Sequence, residues 1–153
     1  MRVVAWFIAF CCLASPATGQ KNGFQEPCSS HIQSTWTEEL RKAAQVDCKF
    51  FEEAQKSAAA WASFAEEDAV MSGLNGREEI RARFEKVYAK PGFRLLWFPT
   101  GGEAYGNFVI TTGSYERHAQ DGKGTETVSH GRYVTVWHKQ PDGSYLYVWD
   151  GGE

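Results

Sequence analysis

At Phe93 the period of the apolar residues changes, and this constrains the fold more than any single motif. Before it, apolar residues recur at spacings of three and four; after it, they alternate. FRLLWF, NFVITTGSYERH, TVSHGRYVTVWHK and SYLYVWD are rich in aromatic and β-branched residues and are separated by Gly, Pro and Asp clusters, so they read as four strands. The last two form a hairpin, because Gln140-Pro141-Asp142-Gly143 puts Pro at the first central turn position and Gly where a positive φ is tolerated. Helices followed by a meander of long strands predict an α+β domain whose helices cover one face of an antiparallel sheet.

Three helices are predicted ahead of that meander. Thr35-Trp36-Thr37-Glu38 matches a capping box and starts the first. Trp36, Leu40, Ala43, Ala44, Phe50, Phe51 and Ala54 then form an apolar stripe along it. A short second helix over Ala58 to Phe64 runs into Glu66, Glu67 and Asp68, which read as a solvated helix end. Ala69 to Met71 forms a short strand, SGLNG turns the chain, and Asn75 or Gly76 caps a third helix, REEIRARFEKVY, that Pro91-Gly92 stops.

The 153 residues suit one domain. Aromatics make up 14% with six Trp, more flat apolar area than a small core usually carries, so some of it is available to line a cavity. A net charge of -3 without long runs of either sign leaves no basic face for phosphates, so nucleic acid is not an expected partner. Residues 1–19, MRVVAWFIAFCCLASPATG, combine an early Arg, an apolar stretch and a small-residue end, and read as a secretory signal cleaved after Gly19 or Ala17. The mature chain is then secreted or periplasmic, with no membrane association once the signal is gone. Residues 20–34 read as a flexible segment and 35–153 as the domain. Two cysteines remain, Cys28 and Cys48, and an oxidising compartment predicts a disulfide between them. His31, His118, His130 and His138 form no metal-binding pattern, and neither a metal nor another cofactor is expected.

AWASFAEEDAVM, then Gly76-Arg77-Glu78-Glu79-Ile80-Arg81, then GRYVTVWHKQPDGSY closing on a strand that ends in Asp, resemble the nuclear transport factor 2-like superfamily. Within it, the SnoaL-like and ketosteroid-isomerase-like domains are most similar. The resemblance runs from about residue 36 to 153. It implies a curved antiparallel sheet forming a cone, three N-terminal helices over its concave face, a cavity inside, and a homodimer through the sheet. The isomerases of that superfamily use a carboxylate base after the first strand, a Tyr on the first helix and an acid on a middle strand. Those positions fall here on Ser72 or Gly73, on Lys49-Phe50-Phe51, and on Thr135, so the isomerase mechanism is not supported.

With Thr135 placed inward, alternation turns Tyr133 and Trp137 inward too, and Leu146, Val148 and Asp150 on the last strand. Asp150 is the one carboxylate expected inside: a general base or polar anchor for a ligand, or else a structural acceptor. Trp61, Phe64, Trp97, Tyr133, Thr135, Trp137 and Val148 either form the wall of a site for a small apolar molecule or are simply core. Alternation also puts Tyr145, Tyr147 and Trp149 outward beside Arg132 and His138, a surface for a second subunit. Two functions are thus open: an exported small-molecule-binding domain, or a noncatalytic dimeric interaction module.

Overall fold

The computed structural model describes residues 23–153. The expected signal at 1–19 lies outside the described residues. From residue 23 the chain makes two 3-10 turns, Gly23–Gln25 and Cys28–His31. Two contacts hold them down. Cys28 is bonded to Cys48, with Cα atoms 5.5 Å apart. His31 stacks on Phe98 at 3.8 Å between ring centroids, with Phe24 at 5.0 Å on the same ring.

Helix α1 spans Glu38–Ala54. Its N-cap is Thr37, whose hydroxyl accepts from the Leu40 amide at 3.3 Å, so the helix enters two residues later than the expected box at Thr35. Helix α2 is one turn, Ala60–Ser63, shorter than expected. Strand β1 follows at once, Ala65–Met71. Glu66, Glu67 and Asp68 are therefore strand residues and not a helix end. Burial of Ala65, Ala69 and Met71 supplies the pull that extends this segment, while Glu66 accepts from Gln140 at 2.7 Å and bonds His138 at 2.6 Å.

Met71 pairs with Leu74 across a two-residue loop, Ser72 and Gly73, whose φ values are 46° and 85°. Two successive positive φ values are the signature of the tight hairpin turn that matches strand twist. Strand β2 is Leu74–Asn75, and Gly76, at φ 84°, is the N-cap of helix α3, Arg77–Tyr88. Strands β3 (Arg94–Tyr105), β4 (Phe108–Gln120), β5 (Glu126–Lys139) and β6 (Tyr145–Gly152) form the meander. The β5–β6 turn is the expected one, with the Gly143 amide donating to Gln140 O at 2.9 Å and Gly143 at φ 85°.

One open sheet results, in the order β2-β1-β6-β5-β4-β3. The four long strands are antiparallel neighbours, but β1 joins β6 in parallel, which makes the sheet mixed. A chain that leaves the helical layer at β1 and returns only through β6 needs a long crossover, and α3 with β3 to β5 supplies it. The helices lie on one face. Phe50 of α1 packs its ring within 5.1 Å of both Phe64 and Trp97. Trp61 of α2 stacks on Phe84 of α3 at 3.7 Å and donates to the Tyr88 hydroxyl, which in turn donates to Ala54 O of α1. The three helices are thereby tied into one cover.

Strand β6 corrects the expected facing. Val136 is opposite Trp149 but Trp137 is opposite Tyr147, so Val148 is an extra residue, a β-bulge. A one-residue insertion turns everything before it to the other face. Tyr145 and Tyr147, expected outward, point into the protein, where Tyr147 donates to Trp61 O and Tyr145 donates to Glu39 Oε2. Leu146, expected inward, is paired instead with outward-facing His138. Trp149 and Asp150, beyond the bulge, keep their expected sides. Among the described residues no helix is long and apolar enough to cross a membrane.

Candidate functional site

Between the helical cover and the sheet lies a cavity of about 780 Å³. Its walls come from both layers. Trp61, Phe84 and Phe50 close it from the helices, and Trp97, Tyr115 and Tyr133 from the sheet, while Ser72 and Asp150 stand at one end. Strand alternation explains the sheet side: Trp97 on β3, Tyr115 on β4 and Tyr133 on β5 all turn toward the helices. Gly113 makes room for Tyr133, since a Cβ there would be 2.3 Å from the tyrosine ring and 2.2 Å from Phe98 O.

Of the expected site residues, Trp61, Trp97, Tyr133 and Asp150 line this cavity. The others are elsewhere. Phe64 packs on Phe50 and faces a smaller space of about 370 Å³ beside Tyr145. Trp137 is fully buried behind the cavity, its indole N–H donating to Thr111 Oγ1 at 2.9 Å. Val148 is the bulged residue and is not among the cavity-lining residues. Thr135, almost fully buried, acts on the cavity indirectly by donating to Asp150 Oδ2 at 2.5 Å.

Asp150 is placed by backbone as well. Its carbonyl accepts from the Ser72 amide at 3.1 Å, so the tight turn after β1 fastens the end of β6. Burial pushes its carboxyl up to about 7, against the pull of the Thr135 hydroxyl, and the nearby Asp47 charge adds to the rise. A carboxyl poised there exchanges a proton readily near neutrality and serves equally as donor or acceptor.

Sequence reasoning missed Asp47. It is fully buried on the inner face of α1 and accepts three hydrogen bonds, from Trp97 Nε1 at 2.9 Å, Thr111 Oγ1 at 2.8 Å and the Tyr133 hydroxyl at 2.9 Å. The donors come from β3, β4 and β5, so one carboxylate pins the helix across three strands. Burial raises its pKa to about 6, with the three donors opposing the rise. The signal was present: the stripe Leu40, Ala43, Ala44 continues at the next helical step on residue 47, and a charged residue in the apolar register is the mark of a buried, satisfied polar group. Because Tyr133 gives its only proton to Asp47, the hydroxyl has none left to donate to a ligand. It cannot stabilise a developing oxyanion as a donor, and burial together with the Asp47 charge holds its pKa well above the ordinary value.

A second polar cluster occupies the opposite face of the sheet. Glu116 bonds His118 Nε2 and His130 Nε2, each at 2.8 Å, and His118 Nδ1 bonds Glu126 at 2.8 Å. These partners raise the His118 pKa, Glu126 most and Glu116 next. The cluster is satisfied internally, and no group of three His, Cys, Asp or Glu among the described residues is arranged to hold a metal ion.

No protein-family model matches the chain, and no curated protein sequence does. Solved structures do. A ketosteroid isomerase-like protein from Erwinia carotovora atroseptica superposes with a TM-score of 0.64 at 14% identity, over 76% of this chain and 96% of that one. A nuclear transport factor 2-like superfamily protein from Salmonella enterica serovar Typhimurium gives 0.61 at 14% identity, over 74% and 89%. A nuclear transport factor 2-like protein with a cystatin-like fold from Novosphingobium aromaticivorans gives 0.56 at 16%, over 74% and 80%. At these identities the likeness establishes the fold, which is the nuclear transport factor 2-like, cystatin-like one.

Proposed function

We propose that this nuclear transport factor 2-like fold serves as an exported small-molecule-binding domain, its ligand a largely apolar molecule that carries a polar group. The observation that carries the reading is the cavity of about 780 Å³ walled by Trp61, Phe84 and Trp97 with Asp150 as the one carboxylate among its lining residues. Apolar walls supply affinity and a few polar groups, Asp150 among them, supply orientation. The volume is within the range of drug-sized ligand sites, roughly 300 to 1,000 Å³. Asp150 is the polar anchor, and a proton-transfer group if the ligand is also transformed. The Cys28–Cys48 bond supports the exported setting, since disulfides persist in oxidising compartments.

The test uses a neutral dye that brightens in apolar surroundings, N-phenyl-1-naphthylamine. One dye should bind per chain and raise the melting temperature. 1-Naphthol should compete better than naphthalene, and Asp150→Asn should reduce that preference. A protein that takes up no dye has no ligand cavity, and the reading fails.

A second reading draws on the outer face of the sheet. Trp149, Phe108 and Val128 are 41%, 43% and 48% exposed there. Such residues on one sheet face are suited to cover by a second copy, giving a homodimer. Light scattering at tens of micromolar should return twice the monomer mass; a monomer mass rejects it.

A further inference from the structure

The charged residues that line the main cavity are Arg83, Arg117 and Asp150. Neither arginine makes an ion pair or a side-chain hydrogen bond with another described residue. Arg81, on the same helix as Arg83, shows the contrast: it is paired with both Glu78 and Glu85. Arg117 shares the inner face of β4 with Val109, Thr111, Gly113 and Tyr115, so it projects to the helical side of the sheet; both it and Arg83 are exposed, so they line the cavity where it meets solvent.

Their positions are informative. Asp150, Thr135 and Thr111 form one row across β6, β5 and β4. Arg117 lies further along β4, opposite Leu95, roughly 20 Å from that row at the rise of a strand. Helix α3 reaches the same end of the sheet, where the Tyr88 ring is 5.4 Å from that of Phe93. Arg83 shares the cavity-facing side of α3 with Phe84 and Val87. Asp150 is therefore too distant to neutralise Arg117. For an anion held at Arg117, its repulsion changes affinity by less than about twofold across solvent. The cavity thus offers an aromatic body, a carboxyl at one end and unneutralised guanidinium charge, whose planar fork matches a carboxylate in two parallel hydrogen bonds.

We propose that the ligand of this cavity is a carboxylic acid with an aromatic or branched apolar body, its carboxylate received by Arg83 and Arg117 and its body laid over Trp61, Phe84 and Trp97. This rests on the cavity reading above and adds the head group to it.

The test competes 1-naphthylacetate and 1-naphthylacetamide, a charged and an uncharged version of one shape, against bound N-phenyl-1-naphthylamine. The acetate should displace the dye at concentrations about 10-fold lower than the amide. That preference should shrink as salt rises from about 50 to about 500 mM, and should fall to within about twofold in Arg83→Met with Arg117→Met, which keeps the apolar stems. Equal displacement, or none by the acetate, overturns the carboxylate assignment and leaves the cavity reading standing. Stronger displacement by 1-naphthyl phosphate than by the acetate overturns it in favour of a phosphate. Failure of the wild-type protein to bind the dye overturns both readings. Circular dichroism melts of the Met variants separate lost binding from lost folding, and the salt series on the wild-type protein needs no variant.

Discussion

Tyr133 donates its hydroxyl proton to Asp47, 86 residues earlier in the chain, at 2.9 Å inside the protein. That bond joins the cavity wall to the helix behind it, and it decides what the tyrosine cannot do: donate to a ligand.

Asp47→Ala should be among the most destabilising single changes. It strands three buried donors on Trp97, Thr111 and Tyr133. An unpaired buried donor costs about 1 to 3 kcal/mol, so a loss of about 3 to 5 kcal/mol is expected after partial relaxation. Urea denaturation reads it directly. A loss below about 1 kcal/mol would show that the cluster is not the clamp described.

Asp150→Asn should change how stability depends on pH. The wild-type carboxyl is raised from 3.8 to about 7, so the folded state binds its proton more tightly than the unfolded state does. Its contribution is fully present below about pH 4 and is lost as pH rises toward and through 7. The variant lacks this term, whereas Asp47, raised to about 6 with the same sign, remains in both proteins. Relative to wild type, the variant should therefore gain on the order of 1 kcal/mol per pH unit between about pH 4 and 7. A constant difference over that range would mean Asp150 titrates normally.

Gly113→Ala should disturb the cavity wall from the sheet. The new methyl would stand 2.3 Å from the Tyr133 ring and 2.2 Å from Phe98 O, and the second of these is backbone, which cannot rotate away. Overpacking of this kind costs about 1 to 3 kcal/mol. The melting temperature should fall, and tyrosine 133 should lose its fixed position in the aromatic spectrum. An unchanged melt would place the strands further apart than described.

Reduction, or Cys28→Ser with Cys48→Ser, should release the N-terminal turns. The bond spans a separation of 20 residues, and opening a loop of that size costs about 3 kcal/mol in the chain-entropy picture. Limited proteolysis should then cut near residues 23 to 34 while the sheet stays intact. Equal resistance with and without reductant would show that the Phe98 stack alone holds the segment.

His118 should titrate above the ordinary histidine value of 6.5, because both ring nitrogens bond carboxylates. The stability this contributes is present below about pH 6.5 and is lost as pH rises through the raised value. Proton NMR of the imidazole in wild type and in Glu126→Gln measures it; a value that does not fall in the variant assigns the shift to another cause.

Much of the architecture is local in origin and was legible for that reason. The residues of α3 match the REEIRARFEKVY pattern end for end, since its spacing lies within the segment and its Gly cap and Pro-Gly stop lie within a few residues of its ends. The Gln140 to Gly143 turn depends on two residue types and formed as expected. The segment from Glu66 to Asp68 misled because charge suggested a helix end, whereas pairing with β6 and burial of Ala65 and Ala69 made it strand. For the site, alternation put Tyr133 and Asp150 on the inner side correctly. It failed at Leu146 and Tyr147, because the bulge at Val148 is a property of two strands together and leaves no mark in one of them.

The sequence by itself determined the succession of helices and strands, the turn chemistry that joins them and the pair of cysteines. These rest on period, capping and φ preference, which act over a few residues. Only the tertiary structure decided that Asp47 is held by donors from three strands, that Tyr145 and Tyr147 turn inward, and that Arg83 and Arg117 open onto the same cavity as Asp150. Those relations join residues tens of positions apart, and each exists only because burial drives the helices onto the sheet and leaves polar groups to find whatever partners that packing brings within reach.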